Sequence, residues 1–176
     1  MIAIIPARGG SKRIPRKNIR LFHGKPIIAY SIDVALKSKL FDRVIVSTDD
    51  DEIAEVARQF GAEVPFMRPR ELANDFATTQ VVIEHAIKCL QKAGQNVEYV
   101  CCIYATSPFM TVQQLFEAVS KKNPDDMVFP CAKFPSEIQR SFKIVEGKSI
   151  MFQPEHFRTR TQDLEGAYFN AGTFTL

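Results

Sequence analysis

The sequence predicts an α/β fold with a largely parallel sheet, and three observations predict it. Short apolar runs recur along the chain, segments with apolar residues at helical spacing separate them, and turn or cap residues stand at most of the boundaries. Ile2–Ile5 is the first run, continuous and β-branched, as expected of a strand covered on both faces.

Pro26 opens a helix in a favourable first-turn position, with Ile28, Ile32, Ala35 and Leu36 on one face and Lys37 and Lys39 at its carboxyl end. Arg43–Thr48 reads as a second strand. Asp49 to Glu52 place acids at the start of a helix that presents Ile53, Val56, Ala57 and Phe60 and ends at Gly61. Ala62–Phe66 reads as a short third strand and 67–77 as irregular. Thr78 or Thr79 caps a long helix carrying Val82, Ala86, Ile87 and Leu90, ended by Gly94. Tyr99–Ala105 is a continuous apolar strand. Thr106-Ser107-Pro108 leads from it to a helix over about 111–121. Met127–Phe134 reads as a strand, Phe142–Phe152 as a hairpin about Gly147, and Tyr168–Leu176 as a last strand.

The charge is unevenly placed. From Arg8 to Arg20 the chain carries Arg8, Lys12, Arg13, Arg16, Lys17 and Arg20 and no acid. Of 23 Lys and Arg, removing those six leaves 17 against 20 Asp and Glu, so the net charge of +3 belongs to one loop. A local site for an anion follows, not a general attraction for nucleic acid. Gly9-Gly10 lets the backbone turn its N–H groups towards one point, and polyphosphate is the guest that suits that point. In a sheet of this class ligands gather at the carboxyl ends of the strands. The Arg8 loop, Ser47-Thr48-Asp49, Arg68-Pro69-Arg70 and Thr106-Ser107-Pro108 are therefore expected to converge.

The composition is that of a globular chain, 176 residues long, 45% apolar and 24% charged. There is no signal-peptide pattern and no run of membrane-spanning length, so no membrane association is expected. Cys89, Cys101, Cys102 and Cys131 lack CxxC spacing and read as buried free thiols in a reducing cytoplasm. His23, His85 and His156 form no metal-ligand pattern and read as structural or solvent-facing.

Neither GxxxxGK[ST] nor GxGxxG occurs, which disfavours a P-loop NTPase and a dinucleotide dehydrogenase. The runs PARGGSKRIPRKNI, GKPIIAYSI, VIVSTDD, FGAEVPFMRP and YATSPF instead resemble the cytidylyltransferases that activate nine-carbon acidic sugars, the acylneuraminate cytidylyltransferase family with its pseudaminic acid branch. The likeness covers most of the chain. It implies a three-layer Rossmann-like nucleotidyltransferase fold and a magnesium-dependent reaction. In that reaction a nonulosonic acid and CTP give the CMP-sugar and pyrophosphate, in the cytoplasm and for surface glycans. The chemistry agrees with the loop, because cations and N–H groups stabilise charge on a departing pyrophosphate.

The resemblance implies roles for particular residues. Arg8, Ser11 and Lys17, with the Gly9-Gly10 backbone, take the triphosphate, and Arg8 and Lys17 are the catalytic pair. Asn18 is placed near the ribose or α-phosphate, Arg68 against the cytosine, and Asp75 and Thr79 along the nucleotide pocket. Lys12, Arg13 and Arg16 serve as a positive rim, although for Arg16 and Arg20 a solvated surface is the favoured reading. Asp49 stands open between a ligand contact and a helix-start cap. Thr106-Ser107 stands open between a sugar contact and a plain turn. Arg140, Arg158 and Arg160 are candidates for the sugar's carboxylate, with surface solubility as the alternative for each. A homodimer sharing residues between sites is expected.

Two departures point away from sialic acid and towards the pseudaminic branch: Tyr104 where sialic acid synthetases have Gln, and Met110 where they have Arg. Relatives also continue to an acidic Asp-x-Asp segment that holds magnesium, whereas this sequence stops at Phe174-Thr175-Leu176 and has Asn170 where the branch usually has Asp. The expectation is one cytidylyltransferase domain over 1–176 lacking that segment, with its metal ligands unassigned. Legionaminic or sialic acid is the alternative substrate, and a non-catalytic CTP-binding remnant is the rival reading. An RNA-binding module is disfavoured, because Phe22 is the only aromatic close to the cations.

Overall fold

The computed structural model describes residues 1–123 and 126–176. Its elements are strands β1 (Ile2–Pro6), β2 (Leu21–Phe22) and β3 (Lys25–Pro26), helix α1 (Ile27–Ser38), β4 (Arg43–Ser47), α2 (Asp51–Gln59), α3 (Thr79–Lys92), β5 (Val100–Ile103), α4 (Val112–Ser120), β6 (Cys131–Lys133), β7 (Phe142–Val145), β8 (Lys148–Met151), β9 (Tyr168–Asn170) and β10 (Phe174–Thr175). The central sheet runs β10-β5-β1-β4. β1 is parallel to both neighbours, and β10 joins β5 antiparallel. This is the mostly parallel α/β sheet that the sequence predicts.

The pleat of β1 explains the layers. Ala3 and Ile5 pack with Ile28 and Ile32 of α1, Ile53 and Ala57 of α2 and Leu115 of α4, while Ile2 and Ile4 pack with Ala86 and Leu90 of α3. Both faces are covered, and the run is accordingly apolar without alternation. The starts of α2, α3 and α4 each have a local side-chain cause. Asp50 caps α2 by accepting the Ile53 N–H, Thr78 caps α3, and Thr111 with Gln114 forms a reciprocal capping box on α4. Gly61 and Gly94, just past α2 and α3, have φ of 89° and 80°, as helix-terminating glycines should.

Four features differ from the sequence reading. Residues 62–66 form only an isolated parallel bridge, Glu63 to Ile45, because Pro65 has no N–H with which to continue the ladder. Pro130 likewise confines the predicted 127–134 strand to β6. Before it, Val128 exchanges both backbone hydrogen bonds with Leu176, at 2.8 and 2.9 Å. The predicted 168–176 strand is divided at Gly172, φ 65°, into β9 and β10, which pair in different sheets. The β2–β3 hairpin was not anticipated.

The chain forms two compact units, residues 1–130 with 172–176, and 131–171. The second contains the β6–β9 pair and the β7–β8 hairpin, whose turn residues Glu146 and Gly147 have φ of 50° and 75°. None of its residues is buried. All four cysteines are free, but only Cys101 and Cys102 are buried. Burial pushes the Cys102 thiol up to about 12 and raises that of Cys101 as well. Cys131 is exposed and Cys89 half-buried, which corrects the expectation that all four lie inside; neither sits in the strand core.

Candidate functional site

The four segments predicted to converge do so in the first unit. The Ala7 N–H donates to the Ser47 carbonyl (2.9 Å), and the Gly9 N–H donates to Asp49 Oδ1 (3.0 Å). The Arg68 N–H reaches the Thr48 carbonyl (2.7 Å), and its guanidinium reaches the Ser47 carbonyl (2.8 Å). On the far side of β1, Ser31 Oγ and Ser107 Oγ fix the strand-end segment by donating to the Tyr104 and Thr173 carbonyls. Between these segments lies a cleft of about 800 Å³, a size that suits a small-molecule site.

Arg8, Ser11, Lys17 and Asn18 line it from the first loop, Arg68, Asp75 and Thr79 from the 68–79 segment, and Thr106 from the end of β5. Lys12, Arg13 and Tyr104 line it too, and Asp75 is the single acid among the described residues that line it. Gly9 and Gly10 form the turn beside it. A Cβ on Gly9 would lie 2.5 Å from Asp50 Oδ2, so no larger residue fits there without displacement, whereas Gly10 faces open space. Asn18 is buried and anchors the loop on itself by donating from Nδ2 to the Arg8 carbonyl at 2.9 Å.

The cations divide into three groups. Arg8 Nη2 and Lys12 Nζ both bind the Asp75 carboxylate, at 2.5 and 2.6 Å, and together they hold it below its usual range, Lys12 foremost. Arg16 is turned the other way. It pairs with Asp50 through both terminal nitrogens (2.5 and 3.1 Å) and with Glu52. Arg16, read from the sequence as rim or solvated surface, is thus held by two carboxylates and is not among the residues that line the cleft. Lys17 has no carboxylate within 4 Å among the described residues, which leaves its charge to the cleft.

Arg68 is only 5% exposed, and burial lowers its pKa, with Asp49 opposing that and Arg8 reinforcing it. Its Nε is buried without a hydrogen-bond partner among the described residues, a group that an incoming acceptor would satisfy. Arg140, Arg158 and Arg160 belong to the second unit and are exposed. There Arg140 donates to Thr161 Oγ1 (3.3 Å) and Arg160 pairs with Asp163 (2.7 Å). No cluster of three or more His, Cys, Asp or Glu able to hold a metal ion occurs among the described residues.

Sequence reasoning missed Asp50 and Glu52 as partners of the loop. Their signal was visible as the acidic run after the second strand, but helix capping already accounted for it. Asp49 is a loop anchor here, bonded to Gly9, and the cap is Asp50.

The family model described as cytidylyltransferase matches residues 2–170. The chain is 47% identical over 176 residues, 98% of this chain and 76% of the relative, to a pseudaminic acid cytidylyltransferase of Campylobacter jejuni subsp. jejuni. It is 44% identical over 68% of its length, and 51% of the relative, to a CMP-N,N'-diacetyllegionaminic acid synthase of Legionella pneumophila subsp. pneumophila. In fold it is similar to CMP:2-keto-3-deoxy-manno-octonic acid synthetase complexed with CTP, with a TM-score of 0.70 at 17% identity, covering 99% of this chain and 72% of that one. The predicted nucleotidyltransferase fold and the resemblance carried by five runs along the sequence thus agree with the match over nearly all of it: the chain belongs to the cytidylyltransferase family.

Proposed function

We propose that this chain transfers CMP from CTP to pseudaminic acid, giving CMP-pseudaminic acid and pyrophosphate. The names of its relatives support the reaction class and the sugar. The observation that carries the reading is the cleft itself: among the described residues, five cations, Arg8, Lys12, Arg13, Lys17 and Arg68, line it with a single carboxylate.

Such a lining suits a triphosphate whose α-phosphorus is attacked by a sugar hydroxyl. Arg8 and Lys17 neutralise the phosphate oxygens and the charge that builds on the departing pyrophosphate. Ser11 and the Gly9-Gly10 turn complete the phosphate contacts, and Asn18 holds the loop's curvature near the ribose. Arg68, buried and with Nε unpartnered, orients the base, while Asp75 and Thr79 line the pocket.

Magnesium is part of the proposal. Mg²⁺ is ordinarily held by one or two carboxylates plus phosphate oxygens and water, which a site with one lining carboxylate among the described residues, Asp75, fits as a nucleotide-borne ion. When bound, the ion would neutralise phosphate charge.

A homodimer is also proposed, supported by the exposed apolar residues Phe142, Ile144, Ile150, Phe152 and Phe157 of the second unit. In it, Arg140, Arg158 and Arg160 would serve the sugar's carboxylate, and Thr106 a sugar hydroxyl. A cytoplasmic location fits the four free cysteines, and no helix among the described residues is long and apolar enough to cross a membrane.

The test is pyrophosphate release from CTP and magnesium with a panel of nonulosonic acids. Turnover with pseudaminic acid alone supports the reading. Turnover with legionaminic acid, the substrate suggested by the Legionella relative, or with sialic acid would move the specificity. CTP binding without any turnover would identify a nucleotide-binding remnant.

A further inference from the structure

We propose that Asp50, acting through Arg16, is a positioning residue that sets the phosphate loop for the nucleotide, a role that rests on the function put forward above. From Arg8 to Arg16 the loop has no helix or strand of its own, so its shape must come from contacts. On one side those contacts are Arg8 and Lys12 on Asp75. On the other, Arg16 grips the amino end of α2.

That grip is built on a fixed point. Asp50 Oδ1 caps α2 by accepting the Ile53 N–H at 3.0 Å, and the Asp50 N–H donates to Thr48 Oγ1 at 3.2 Å. The same carboxylate receives both Arg16 terminal nitrogens and fills the space beside Gly9. One side chain therefore holds the loop at two places, Gly9 by shape and Arg16 by charge. Arg16 itself has φ 55°, the left-handed region that a residue with a Cβ adopts at a cost. The paired carboxylates offset that cost. The turn they stabilise leads directly into Lys17, since the Ile19 N–H closes onto the Arg16 carbonyl at 3.1 Å. Arg16 is thus spent on orientation, and Lys17, the next residue, is delivered to the cleft.

The test uses the purified protein and CTP with magnesium, read by titration calorimetry. Asp50→Asn keeps an oxygen for the Ile53 cap and removes the charge. It is expected to weaken CTP binding about fivefold, Arg16→Gln at least as much because it also frees Glu52, and the double variant should be no weaker than Arg16→Gln alone, because that substitution already removes the Asp50 contact. Asp50→Glu should recover part of the loss. The KM for the acceptor sugar should stay within error of the parent's, and the melting temperature should fall by no more than the few degrees that losing one partly exposed ion pair costs, which a general loosening of α2 would exceed. A parent that fails to bind CTP overturns the proposed function and this role together. A parent that binds CTP while Asp50→Asn binds it equally well, or losses that simply add in the double variant, overturns the role of Asp50 alone.

Discussion

The two units of this chain handle their apolar residues in opposite ways. In the first, β1 is shielded on both faces, and Ile4, Ile5, Ile28 and Ile45 are fully buried. In the second, residues 131–171, no residue is buried at all, and Ile144 on β7 is 73% exposed. The first unit can therefore hold a site whose charges are placed to within a hydrogen bond, since the strand ends that carry it are locked by a packed interior. The second has strands and a hairpin but no interior of its own. Its apolar side chains Phe142, Ile144, Ile150, Phe152 and Phe157 lie largely open to water, and that exposure is the support for the homodimer proposed above.

The largest expected effect tests whether the chemistry belongs to the first unit. Lys17→Ala should lower turnover of CTP by about 10²–10³-fold, the loss typical of removing one group that stabilises developing charge. Thermal stability should hardly change, because Lys17 makes no ion pair among the described residues. Turnover above a tenth of the parent's would show that Lys17 is not part of the phosphate machinery.

The next effect sets the two units directly against each other. Ile5→Ala removes a fully buried side chain and should cost about 3 kcal/mol in urea unfolding. Ile144→Ala, of similar volume change, should cost less than about 0.5 kcal/mol, because the residue leaves water only slightly on folding. If the two costs matched, the second unit would have an interior under those conditions. Sedimentation before and after Ile144→Lys would then tell whether a second copy supplies it.

A smaller effect distinguishes two adjacent glycines. At Gly9 an added methyl meets Asp50, and at Gly10 it meets nothing within 4 Å. Gly9→Ala should cost about 1–2 kcal/mol through displacement of that carboxylate. Gly10→Ala should be neutral to stability, and any loss it shows in CTP affinity would then report the ligand rather than the fold. Equal behaviour of the two would mean that the loop is not seated on Asp50 as the structure has it.

This contrast also explains what the sequence could disclose. Periodicity reports burial, so β1, β4, β5 and the three capped helices α2, α3 and α4 were legible, each with its own local signal. Where nothing is buried the pattern loses its meaning. Residues 168–176 read as one strand, yet they serve two sheets, and only the backbone at Gly172 separates them. Two-residue strands such as β2 and β3 are too short to show a period, although His23-Gly24 is a recognisable turn pair. In the site, the cations of the first loop were legible because they are neighbours in sequence. Their division among Asp75, Asp50 and the open cleft was not, because those partners lie 34 to 67 residues away. Only folding brings them within reach.

The smallest effect is on pH dependence, and its sign follows from the pairs just named. Arg16, hydrogen-bonded to Asp50, holds that carboxyl below its ordinary value of 3.8, and Arg43 does the same for Glu63 below 4.5. A carboxyl depressed in the folded state binds protons more readily in the unfolded chain. Its contribution is therefore complete above the ordinary values and is lost as the pH falls through the lower, folded ones. Both pairs are partly open to water, so each is worth at most about 1 kcal/mol. Urea midpoints should fall a little as the pH drops below 6.5, where His85, its pKa lowered foremost by burial, is protonated more readily in the unfolded chain, and should decline further below about pH 4 as the two carboxylates are protonated. Asp50→Asn should make that decline shallower, and Arg43→Gln should do so independently, because the two pairs share no partner. A decline of unchanged steepness in both variants would place the acid sensitivity in other carboxylates of the chain.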